Sequence, residues 1–147
     1  MRVISLVTEG IERAAEAGCL EWLFAQDADI ICLQDTHCAE HTLKGDAFFP
    51  EGYHPYFLDH YDDPQRNGVA IYCRTLPKAI IWGLGFADFD SQGLYIQADY
   101  DQFSVGSVLV PSGRANTQGM ETKLSFLSQL STHLAKVRHK RRGYILC

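Results

Sequence analysis

A run of four apolar residues, Ile30-Ile31-Cys32-Leu33, ends abruptly in Gln34-Asp35-Thr36, with Asp27 and Asp29 bounding its other side. A short unalternating run of this kind predicts a strand buried on both faces. Such a strand needs cover on each side, so it constrains the fold more than any other stretch. Gln34 and Asp35 then stand at the strand's C-terminal end. In open α/β sheets, ligands bind along that edge. A carboxylate there could hold a hard cation such as Mg2+. Equally, Asp35 could open a turn or cap the segment that follows.

The rest of the chain supplies elements that could provide the cover. Val3 to Val7 predicts a first strand. Glu9-Gly10 turns it into a short helix with Ile11, Ala14 and Ala15 on one face. Gly18 interrupts, and a second short helix carries Leu20, Leu23 and Phe24. With the strand over 30–34, this is a β-α-β opening with an expected right-handed crossover. Gly45, Pro50 and Gly52 mark 36–52 as loop. Strands are expected at Tyr53–Leu58, Gly68–Cys73 and Ala79–Trp82. Leu94–Tyr100 and Phe103–Val110 form a hairpin about Asp101-Gln102. Met120, Leu124, Leu127, Leu130, Leu134 and Val137 recur at helical spacing and predict one apolar stripe. Tyr144 to Cys147 begins a last strand. The succession indicates a layered α/β sandwich with mixed sheets and flanking helices.

Length and composition agree with one packed domain. The chain has 147 residues, 46% of them hydrophobic, enough for a real core. No apolar run nears the roughly 18 residues of a membrane span, and nothing after Arg2 resembles a signal peptide. Five cysteines lie without CxxC spacing. They suggest reduced thiols in the cytoplasm, not a disulfide frame or a zinc site.

Several segments together resemble the endonuclease/exonuclease/phosphatase superfamily, in its exonuclease III branch. They are Arg2-Val3-Ile4-Ser5-Leu6, Asp29 to Asp35, Gly68-Val69-Ala70-Ile71-Tyr72, Gly83-Leu84-Gly85-Phe86, Tyr95-Ile96-Gln97-Ala98-Asp99 and Pro111-Ser112-Gly113. The resemblance implies the N-terminal half of a four-layered α/β sandwich with two facing sheets. On it, residues 1–147 form a partial domain ending just before the family's Gly-Asp-x-Asn segment. Half a sandwich would leave an apolar sheet face uncovered, so self-association is expected. The resemblance also implies Mg2+-dependent DNA-repair nuclease chemistry, with Asp35 as a remnant metal ligand.

Departures from the family pattern fall on its chemistry. Active members carry an Asn where this chain has Val7, and Glu9 replaces a second polar residue of the same turn. Valine has no oxygen or N–H to offer a phosphate or a metal. Gln34-Asp35 stands for the family's Gln-Glu, which withdraws the carboxylate by about 1.5 Å. Leu109 replaces a Tyr two residues before Pro-Ser-Gly. Losses that act as a unit should abolish hydrolysis, so no catalytic residue and no cofactor is assigned.

The Ile-Cys-Leu-Gln-Asp strand, the Leu before Pro-Ser-Gly and Lys-Arg-Arg before a strand ending in Cys resemble the catabolite repression control family. That family has the nuclease fold without nuclease activity. The resemblance implies assembly with the RNA chaperone Hfq on A-rich messenger RNA, in translational regulation. Charge gives this a candidate surface. The net charge is −5, yet Thr122 to Cys147 holds six bases and no acid. Lys136, Arg138, Lys140, Arg141 and Arg142 cluster within seven residues, as an RNA or partner contact or simply the basic end of a helix. Arg138 and Arg141 are expected to project outward.

Overall fold

The computed structural model describes residues 1–114, 117–139 and 143–147. Strands β1 (Val3–Val7), β2 (Ile30–Gln34), β3 (His54–Leu58) and β4 (Val69–Cys73) form one sheet in the order β1-β2-β4-β3. β1 and β2 are parallel and the other neighbours antiparallel. Strands β5 (Ala79–Trp82), β6 (Tyr95–Asp99), β7 (Phe103–Val108) and β8 (Gly143–Leu146) form the second sheet in that order. There β8 runs parallel to β7. Helices α1 (Ile11–Glu16) and α2 (Cys19–Phe24) join β1 to β2, and α3 (Thr117–His139) precedes β8.

Alternation along the strands builds three cores. Ile31 and Leu33 of β2, with Ala70 and Tyr72 of β4, face Ile11, Leu20 and Leu23 of the two short helices. Ile30, Cys32, Val69, Ile71 and Cys73 point the other way and meet Ile96, Ala98 and Val105 of the second sheet. Leu94 and Phe89 receive Phe126 and Leu130 of α3. The layers are therefore helix, sheet, sheet, helix. Every residue of β2 and β4 is buried, which is why neither strand alternates in polarity.

The expected strand Ala79–Trp82 is present, as an edge strand of the second sheet. Two expectations need correction. First, the predicted α3 stripe is rotated. Met120, Leu124 and Leu127 are exposed at 47%, 58% and 37%, whereas Phe126 is fully buried. At about 100° per residue, Phe126 lies between about a quarter and nearly half of a turn from those three. The largest apolar side chain of the helix sets its seat, with Leu130 inward and Leu134 half-buried beside it. Second, the expected bare sheet face is not seen among the described residues. The two sheets cover each other and the helices lie on their outer faces. The edge strands are β1 and β3 in the first sheet and β5 and β8 in the second. Of these, β1 and β8 share one side of the sandwich, because the Cys147 thiol just after β8 meets the Ser5 hydroxyl of β1. Among the described residues, no helix is long and apolar enough to cross a membrane.

Candidate nucleic-acid site

The C-terminal ends of β1 and β2 meet at one rim of the first sheet. Val7 pairs with Gln34 in the parallel ladder. Beyond it the chain is tied across. Thr8 N–H donates to Gln34 O at 2.9 Å, and Gly10 N–H donates to Asp35 O at 2.9 Å. The Thr8 hydroxyl donates to the same two carbonyls, at 3.1 and 2.9 Å. On the other side, Thr36 N–H donates to Gly68 O at 3.1 Å and His37 N–H to Asn67 O at 2.9 Å.

This rim holds strained backbone. Glu9, Asp35, His37 and Asn67 all have φ between 48° and 62°. Asp, Asn and His tolerate the left-handed region better than other residues, so three of the four suit their places. Gly68, at φ 96°, is obligatory, since a Cβ there would stand 2.3 Å from Thr36 Oγ1. Clustered strain of this kind is characteristic of functional sites.

A buried polar relay lies beneath the rim. Gln34, 4% exposed, donates from Nε2 to Ser107 Oγ at 2.9 Å. The Ser107 hydroxyl donates to Leu33 O at 3.0 Å. Ser5 Oγ donates to Gln34 Oε1 at 3.1 Å. One amide thus links β1, β2 and β7 across the two sheets and sets the position of Asp35 next to it.

Asp35 itself is not free. His37 Nε2 lies 2.8 Å from its Oδ1, and the two side chains are 34% (His37) and 26% (Asp35) exposed. The left-handed turn at both residues brings side chains at i and i+2 together. Val7, 59% exposed, presents only methyl groups. Leu109 is half-buried between the inter-sheet core and the α3 core. Among the described residues, no three His, Cys, Asp or Glu side chains converge as a possible metal site. Mg2+ requires near-octahedral oxygen ligation. One carboxylate already hydrogen-bonded to an imidazole, beside a valine, does not fit that requirement.

Of the five predicted basic residues, Lys136 and Arg138 are exposed on the last turns of α3. Lys140, Arg141 and Arg142 lie outside the described residues. Among the described residues, neither Lys136 nor Arg138 is in an ion pair. Gly143, four residues past the end of α3, pairs with Phe103 at the start of β7, whereas Gln34 meets β7 at Ser107.

His41 lies in an exposed 3-10 turn over Glu40–Thr42, and His37 is the partner of Asp35. An Asp-x-His spacing was visible but carries no signal without the left-handed turn. Ser107 and Ser5 gave no sequence signal, because their partners are distant in the chain.

Residues 11–147 match the Endonuclease/Exonuclease/phosphatase family. The whole chain aligns with a DNA repair nuclease, APEX1 of Danio rerio, at 28% identity over 47% of that protein. It also aligns with an exodeoxyribonuclease of Bacillus subtilis at 26% identity over 57% of that protein. Among solved structures, the catalytic domain of Xenopus laevis APE2 superposes with a TM-score of 0.84 at 26% identity, covering 99% of this chain and 57% of that one. The chain thus spans about half the length of the relatives it matches. It belongs to the endonuclease/exonuclease/phosphatase family and is of the exonuclease III and AP endonuclease type.

Proposed function

We propose that this chain is a non-hydrolysing member of its family that acts as a post-transcriptional regulator of carbon catabolite repression. In this reading it assembles with the RNA chaperone Hfq on A-rich messenger RNA. The observation that carries it is the strand-end site, where Asp35 is engaged by His37 and Val7 offers no oxygen. Hydrolysis of a phosphodiester in this fold needs several placed groups at once, and here Asp35 is engaged by His37 while Val7 presents only methyl groups.

The basic end of α3 supports the binding half of the reading. Lys136 and Arg138 are exposed cations on a chain of net charge −5. A local positive site on an acidic protein attracts a phosphate backbone while the remaining surface repels it. Contacts of this kind are weak and carry no sequence information, so base recognition falls to the chaperone. Labelled A-rich RNA with Hfq, with and without this chain, tests the assembly by gel mobility. The expected result is a further, slower complex on adding the chain, and an unchanged Hfq–RNA band would overturn it.

A second reading, Mg2+-dependent incision of DNA at abasic sites, is favoured by the repair nucleases among the relatives. On that reading Asp35 would have to be released from His37 and joined by further oxygen ligands.

A further inference from the structure

Three of the five cysteines meet in the core between the sheets. Cys32 of β2 and Cys73 of β4 point inward beside Ile30, Val69 and Ile71, and both are fully buried. Cys147 reaches the same core from the other sheet. Its N–H donates to Gly106 O at 2.8 Å, and its carbonyl accepts from Val108 N–H at 2.8 Å. These bonds hold Cys147 alongside Ser107, whose hydroxyl donates to Leu33 O of β2. Ile145 packs into the inter-sheet core, and alternation turns Cys147, two residues on, to the same side. Its half-buried thiol therefore packs against the core that holds the Cys32 thiol, on the side of Ser5. All five cysteines are free thiols.

We propose that Cys147 and Cys32 are a peroxide-sensitive thiol pair, oxidised by hydrogen peroxide to a disulfide that ties β8 of one sheet to β2 of the other. The two sulfurs have distinct roles. The hydrogen bond from Cys32 draws the Cys147 thiol below its ordinary range, against the opposing effect of burial. The same contact, together with burial, holds Cys32 protonated. The accessible sulfur is thus the nucleophile and the buried one resolves it.

The electrons balance in two steps. The Cys147 thiolate attacks one peroxide oxygen, the O–O bond breaks, and the departing hydroxide takes up a proton as water. This leaves Cys147 as a sulfenic acid. The Cys32 sulfur then attacks the Cys147 sulfur, the S–O bond breaks, and the second water leaves with the Cys32 proton. Two thiols lose two electrons and one peroxide becomes two waters. Cys73 is the poorer partner. Burial raises its thiol to about 11, and the Tyr100 hydroxyl already hydrogen-bonds it.

The test treats the chain with hydrogen peroxide, alkylates the remaining thiols under denaturing conditions, and maps the digest by mass spectrometry without reduction. The expected product is a peptide joining Cys32 to Cys147, lighter by two hydrogens and absent after a reductant. Cys73→Ser should leave that product in place. Cys32→Ser should halt oxidation at a Cys147 sulfenic acid that dimedone captures. Oxidation confined to Cys19 or Cys38, a Cys73–Cys147 peptide in place of the Cys32 one, or only intermolecular links would overturn the proposal. The wild-type map decides the matter even if a serine variant folds poorly.

Discussion

Ser107→Ala removes a single oxygen from the interior and tests how the two sheets are joined beneath the candidate site. The Ser107 hydroxyl is fully buried, accepts from Gln34 Nε2 at 2.9 Å and donates to Leu33 O at 3.0 Å. Alanine leaves the Gln34 amide without that acceptor, in a pocket where Gln34 is only 4% exposed. An unsatisfied buried donor costs about 1–3 kcal/mol. At roughly 2–4 °C per kcal/mol for a chain of this size, the melting temperature should fall by about 2–12 °C. Urea denaturation should show the same loss as a lower midpoint with an unchanged m-value. Adding Gln34→Leu removes the orphaned amide, so the double variant should be more stable than the sum of the two single losses predicts, with a coupling of about 0.5–3 kcal/mol. A Ser107→Ala protein within about 0.5 kcal/mol of wild type, the spread of neutral surface changes, would refute the relay as a structural link. Strict additivity in the cycle would refute the pairing of Gln34 with Ser107.

Gly68→Ala forces a Cβ to 2.3 Å from Thr36 Oγ1 at φ 96°, so it should lower stability by more than the roughly 1 kcal/mol of an ordinary glycine replacement, read by thermal melting. Lys136→Glu with Arg138→Glu should weaken assembly on A-rich RNA with Hfq without shifting the melting temperature, since both side chains are exposed. Each lost phosphate contact should also flatten the salt dependence by roughly 0.7 in slope, and an unchanged slope would reduce the cluster to a solvated helix end. The unpaired backbone of β1 and β8 on one side of the sandwich should drive self-association of the isolated chain, so sedimentation velocity should show species above the monomer at rising concentration, and a single monomer boundary throughout would count against it.

Strand positions were legible in the sequence because buried strands are continuous apolar runs. Ile30 to Leu33 and Val69 to Cys73 needed no tertiary information. Sheet membership was not legible at β5, since four residues of Ala-Ile-Ile-Trp read the same on either sheet. The α3 stripe misled because leucine spacing alone ignores Phe126, whose fit against Phe89 fixes the helix rotation. At the rim, Asp35 was legible from the end of the apolar run, and Val7 drew attention through the family resemblance. His37 was missed as the partner of Asp35, because only a left-handed backbone at both residues brings them within 2.8 Å. Phe48 and Phe57 are core, while Tyr61 is 82% exposed.

The central claim is that the strand-end site of this family member does not hydrolyse phosphodiesters. The most direct measurement incubates the chain with Mg2+ and an end-labelled DNA duplex carrying one abasic site, and resolves the strands on a denaturing gel. The expected result is an intact strand, indistinguishable from a mock-purified control. Incision that requires Mg2+, stops with EDTA and is lost in Asp35→Ala would contradict it and establish Asp35 as a working metal ligand.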